Sequence, residues 1–137
     1  MTIFLDTNIL LYAALEATDE EGFKRERARA LLKRDDVALS IQVLQEFVNQ
    51  ATHPRRSHPL SWDKTLSYVE VFRESDVQET TLSLFEHGLE LMRQHNFSLW
   101  DAMIVAAAIG QGCEILYSED MQHGRMIEGL RIVDPFR

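Results

Sequence analysis

The chain has 137 residues, 45% hydrophobic and 26% charged, with a formal net charge of −8 and a single cysteine. That length suits one packed domain and not two, the composition excludes a disordered chain, and one thiol excludes an internal disulfide framework. The longest apolar run, AMIVAAAIG, covers nine residues against the roughly 20 needed to cross a bilayer, so no membrane span is expected.

In chain order, the first predicted element is a short apolar strand, TIFL, which runs into Asp6. After Thr7 and Asn8 a second apolar segment, ILLY, begins. Asp6 has two readings: the cap of a helix starting near Asn8, or a functional carboxylate held beside a strand end. No basic residue precedes this segment and it carries an acid, so it is not expected to be a secretory signal; the cytoplasm is the expected compartment. Helical periodicity follows over Phe23 to Lys33, where KRERARALLKR gathers six of the 14 Lys and Arg residues between Lys24 and Arg34. Taken alone this is a solvated helix face. A second strand, VALS, closes on Ser40, whose hydroxyl can either hold a ligand or cap the next helix. That helix spans Ile41 to Thr52, with Ile41, Leu44, Phe47, Val48 and Ala51 on its apolar stripe and Gln42, Glu46 and Asn49 on another face.

The Pro-flanked segment HPRRSHP, carrying Arg55 and Arg56, reads as a loop between helices. A helix over Leu60 to Glu74, a weak strand DVQE and a helix over Thr81 to His95 come next. In the helix over Leu99 to Gly110, Asp101 stands alone among apolar neighbours. Ser98 to Asp101 spells a capping box, so this acid too has a purely structural reading. GQG then terminates the helix, and a strand EILYS leads into SEDMQHG, whose composition is that of a turn. The last strand is LRIV. Trp62 and Trp100 read as core residues, and Cys113 as a small core residue entering a strand.

Strands alternating with helices give an α/β fold with a parallel sheet of about five strands flanked by helices, in one domain over residues 1–137. In such sheets ligands bind beyond the carboxyl ends of the strands. Asp6, Glu119 and Asp120 follow strands directly, and Glu46 and Asp101 lie near helix starts. Two carboxylates about 4 Å apart repel by about 4 kcal/mol at an effective dielectric near 20, so a cluster persists if a divalent cation offsets the charge or some members stay protonated. Oxygen donors alone favour Mg²⁺ or Mn²⁺ over zinc, and such a site suits phosphodiester hydrolysis. The five histidines have no helical metal spacing and there is no Gly-rich phosphate loop.

LDTNILLY, LSIQVLQEFVN, LWDAMIVAAA and LYSEDMQHG, in this order, resemble the motifs of the PIN-domain ribonucleases, and most closely the VapC-type toxins of toxin–antitoxin pairs. The resemblance implies a Rossmann-like three-layer sandwich and a Mg²⁺- or Mn²⁺-dependent endoribonuclease. Asp6, Glu46, Asp101 and Asp120 would be its catalytic metal ligands, with Asn8, Ser40, Ser118 and Glu119 in support. Glu119 competes with Asp120 for the fourth acidic position. The expected partners are an RNA substrate, a cognate antitoxin protein and a second copy of the chain in a homodimer. Arg25, Arg29, Arg55 and Arg56 become candidate contacts to RNA phosphates or to an acidic antitoxin tail. Two other readings stand beside this one. One is a catalytically weak PIN-fold module that binds RNA or protein. The other is a haloacid-dehalogenase-like phosphatase with Asp6 as nucleophile, although that family wants a second Asp where this chain has Asn8.

Overall fold

The structure, a computed structural model, describes residues 1–137 apart from the side chain of Asp19. Its elements in chain order are β1 (Ile3–Leu5), α1 (Thr7–Ala14), a single 3₁₀ turn (Asp19–Glu21), α2 (Gly22–Leu32), β2 (Val37–Ser40), α3 (Ile41–Ala51), α4 (Trp62–Phe72), β3 (Asp76–Gln78), α5 (Leu82–His95), α6 (Leu99–Gly110), β4 (Ile115–Tyr117), β5 (Met126–Ile127) and β6 (Leu130–Val133). The sheet runs β3-β2-β1-β4-β6-β5 and is parallel except for the β5–β6 pair.

β1 is buried at every position, as is β2, because helices cover both faces of a parallel sheet and leave no solvated side to alternate toward. The chain steps β1 to β2 to β3 in one direction and then returns to lay β4 on the other side of β1. With right-handed crossovers, that reversal puts α1 to α4 on one face and α5 with α6 on the other. The observed helix packing follows: α1 lies against α2 and α3, α4 against α3, and α5 against α6. The α6 segment from Ala102 to Ala108 is buried at every position, as expected of a helix caught between the sheet and α5. Gly88 of α5 permits this close approach, since a Cβ there would stand 2.5 Å from the Met103 sulfur. Across the sheet, Phe47 meets Phe72 edge-on at 5.0 Å and ties α4 to α3.

Two expectations need correction. A sixth strand, β5, extends the sheet through a hairpin whose turn residues, Glu128 and Gly129, both take positive φ (48° and 87°). Both central residues of a type I′ turn need that geometry, but a two-residue strand carries too little periodicity to be read from sequence. Trp62 and Trp100 are not core: they are 63% and 65% exposed. Each stands in the first turn of its helix, where a large side chain can project past the end of the packed layer. Arg29, an exposed residue of α2, donates from Nε to the Ala13 carbonyl at 2.9 Å and so also fastens α2 to the end of α1. Cys113 is buried as expected, and its thiol is pushed up to about 12, first by burial and then by the charges of Asp76 and Asp36.

Candidate active site

The winding direction reverses between β1 and β4, which is where an open parallel sheet presents a crevice at its carboxyl edge. Their register pairs Leu5 with Tyr117, so the next residues, Asp6 and Ser118, emerge side by side. The Ser118 hydroxyl donates to Asp6 Oδ2 at 2.7 Å. It also accepts from the backbone N–H groups of Asp120 and Met121 at 3.2 and 3.3 Å, so one buried hydroxyl shapes the turn after β4. Asp6 serves both of its readings: its Oδ1 accepts the Thr7 N–H at 2.7 Å as the N-cap of α1, while Oδ2 faces Ser118.

Asn8, the second residue of α1, spans the gap to the same loop. Its amide nitrogen donates to Asp120 Oδ2 at 3.1 Å and, more weakly, to Asp6 Oδ2 at 3.4 Å, while its oxygen accepts the Glu119 N–H at 3.2 Å. Glu119 is turned elsewhere: its Oε1 pairs with Lys24 Nζ at 2.8 Å, and Lys24 also donates to Tyr12 at 3.3 Å. Asp120 is the exposed acid of the loop, on the Asn8 side.

Glu46 enters from α3. Thr7 donates its hydroxyl to Oε2 at 2.9 Å, and Gln42, one turn earlier, donates to Oε1 at 2.6 Å and to the Trp100 carbonyl at 3.1 Å. Ser40 resolves toward the capping reading, its buried hydroxyl accepting the Val43 N–H at 3.4 Å. Ser98 caps α6 by accepting the Asp101 N–H at 3.2 Å, which leaves the Asp101 carboxylate half-buried in the first turn.

The electrostatics join these acids into one group. Asp6 is pushed up to about 6, mainly because burial disfavours its charged form. The Ser118 and Thr7 bonds pull it back down, and the charges of Glu46 and Asp101 add to the rise. The Asp101 carboxyl is also raised, first by burial, with the Ser98 hydroxyl opposing and the charges of Asp120 and Glu46 adding. Asp6 thus feels the charges of Glu46 and Asp101, and Asp101 those of Asp120 and Glu46. Among the described residues no three His, Cys, Asp or Glu side chains converge on a point at metal-bonding distance. The donor chemistry nonetheless fits a hard divalent cation, being carboxylate oxygens only, with repulsion such a cation would relieve. Thr7, Gln42 and Lys24 are the positioning residues that sequence reasoning left without a role. Gln42 to Glu46 was open to it as a helical i, i+4 pair; Lys24 to Glu119 spans 95 positions and has no local signal.

A three-layer α/β fold with a four-carboxylate crevice at its switch point defines the class. The PIN domain profile matches residues 3–127, and the chain belongs to the PIN domain family. Among solved structures, the chain resembles VapC20 of Mycobacterium tuberculosis, a sarcin-ricin loop cleaving toxin, with TM-score 0.68 and 21% identity over 87% of this chain and 90% of that one. A toxin–antitoxin complex from Klebsiella pneumoniae is similar at TM-score 0.70 and 20% identity, covering 98% of both chains. DNA-bound VapBC from Salmonella typhimurium is similar at TM-score 0.64 and 23% identity, covering 98% of both. No curated protein matches the sequence significantly.

Proposed function

We propose that this chain is a metal-dependent endoribonuclease and the toxin of a toxin–antitoxin pair. The observation that carries the reading is that Thr7 and Asn8 bond Asp6, Glu46 and Asp120 together at the switch point of a PIN domain, with Asp101 in the first turn of α6. Asp6, Glu46, Asp101 and Asp120 would hold Mg²⁺ or Mn²⁺, and such an ion supplies a water of lowered pKa and offsets charge on the scissile phosphate. The chain's own residues do the rest. Ser118 and the Thr7 N–H fix the Asp6 carboxylate in one orientation, Thr7 and Gln42 fix Glu46, and Asn8 steadies Asp120. Asp120, and not Glu119, takes the fourth acidic position in this reading, because Lys24 holds Glu119 toward Tyr12.

The toxin assignment draws on the similar toxin and toxin–antitoxin structures, and brings with it an antitoxin protein as partner. A homodimer belongs to the same proposal: Leu82, Phe85 and Leu89 place an exposed apolar stripe along α5, 72%, 42% and 44% exposed. No helix is long and apolar enough to cross a membrane, and the cytoplasm is the compartment we assign. The test is cleavage of a mixed RNA pool by the purified chain, with Mn²⁺ or Mg²⁺ and with chelator, beside an Asp6→Asn variant. Metal-dependent cleavage that falls at least 100-fold in the variant is expected. RNA binding without cleavage under either metal would instead favour a binding module.

A further inference from the structure

The net charge of −8 opposes RNA binding by the chain as a whole, so a substrate strand needs a local path of opposite sign. Three adjoining cavities supply one. The first, against the acid site, includes Asn8 and Asp120 in its wall together with Leu15, Glu16 and Arg56. The second shares Leu15, Glu16 and Arg56 with it and adds Arg55 and His58. The third shares Glu16 and His58 with the second and adds Arg25, Lys64, Ser61 and Tyr68. Shared walls make them one groove, running from the carboxylates past the end of α1 and the loop before α4 to the first turns of α2 and α4.

Charge along this groove is graded. At the site end Glu16, Glu21, Glu119 and Asp120 outnumber Arg56. Beyond it, Glu16 is the only acid among the described lining residues, against Arg55, Arg56, Arg25 and Lys64. None of those four pairs with a carboxylate among the described residues. The Arg25 Nε is buried without a hydrogen-bond partner, a costly state for a cationic donor. We infer that this groove is the track for the single-stranded RNA that flanks the scissile bond, its phosphates passing Arg56, Arg55, Arg25 and Lys64. This rests on the nuclease reading of the acid site, from which the groove departs. An acidic protein segment has the same charge but no reason to begin at four carboxylates, whereas a phosphodiester strand must pass there to be cut. Arg56 spends its Nε on the Gln50 carbonyl and keeps its other guanidinium nitrogens for the groove, whereas Arg29 lines none of the three cavities and lies outside the track.

Binding without turnover separates this from the nuclease proposal. A fluorescein-labelled 20-nucleotide oligouridylate and a 4-nucleotide one are titrated with the chain in chelator, by anisotropy, at several salt concentrations. The variants are Arg25→Ala/Lys64→Ala and the fully surface pair Arg55→Ala/Lys64→Ala, with Arg27→Ala as a control on the exposed side of α2. The track predicts tighter binding of the longer strand. Each double variant should weaken it about 5- to 20-fold and flatten the slope of log K against log salt by about 0.7 per lost phosphate contact. The short strand and the Arg27 control should be unchanged. Undiminished 20-mer affinity and salt slope in the Arg55→Ala/Lys64→Ala variant would overturn the inference. So would poly-glutamate binding that depends on Arg25 and Lys64 where oligouridylate does not bind. Absence of metal-dependent cleavage by the parent chain, with groove binding intact, would count against the nuclease proposal alone.

Discussion

Asp6 combines two roles that sequence reasoning set against each other. A carboxylate that caps a helix through one oxygen and meets a buried hydroxyl through the other is rigid, yet it remains poorly solvated. Its folded pKa of about 6 lies above the ordinary 3.8. A raised carboxyl stabilises the fold below its unfolded pKa, and that contribution is lost as pH rises from about 4 through 6. The shift corresponds to at most about 3 kcal/mol. In chelator at pH 7.5, Asp6→Asn should therefore melt higher than the parent by an amount worth about 1–3 kcal/mol, with the gain shrinking toward pH 4. A lower melting temperature for the variant at pH 7.5 would show that the burial cost is not what sets the shift. The four candidate acids were singled out by position, Asp6 and Asp120 beyond strand ends, Asp101 in the first turn of α6 and Glu46 in the second turn of α3. The donors were less legible: Thr7 reaches Glu46 and Lys24 reaches Glu119 across the chain, and only the folded sheet brings these partners near.

At the scale of elements, α2 to α6 were readable within one or two residues, since apolar periodicity marks their extent and Ser or Thr caps mark the starts of α3 to α6. Ser40, Ser61, Thr81 and Ser98 each accept a backbone N–H at the start of α3, α4, α5 and α6. The contact between α5 and α6 was not readable, because a mid-helix glycine looks like a weakness until its neighbour is known. Met103 fills the space over Gly88 with the flexible end of its side chain. Gly88→Ala should thus stay within about 1 kcal/mol of the parent, the gain in helix propensity offsetting a small displacement of the methionine tip. Gly88→Val cannot be met so cheaply and should cost about 1–3 kcal/mol. Chemical denaturation of the two variants reads the difference; equal stability would mean that the helices separate freely at this point. Of the β5–β6 hairpin only half was legible: LRIV is β6 as read, but β5 has two residues, too few to show a pattern, and the turn depends on positive φ at a non-glycine residue.

For the whole molecule, the topology is what turns four dispersed acids into one site. β1 and β4 are neighbours only because the chain reverses after β3, and Asp6 and Ser118 meet 112 positions apart as a result. The same reversal leaves the cationic groove on the α1 to α4 side of the crevice, so charge separates over a chain that is acidic in sum. The alternation of strands and helices made this sheet legible in advance; which helix ends would line the groove depended on tertiary packing that no periodicity encodes. In the proposed function the four acids hold a divalent cation. Calorimetric titration of the chain with Mn²⁺ at pH 6, in two buffers of different ionisation enthalpy, tests it directly. At that pH the Asp6 carboxyl is about half protonated, and an ion bound there must displace the proton. The account predicts saturable Mn²⁺ binding with proton release, both lost in Asp6→Asn and weakened in Asp101→Asn. Mn²⁺ binding of equal affinity in the parent and both variants would contradict it.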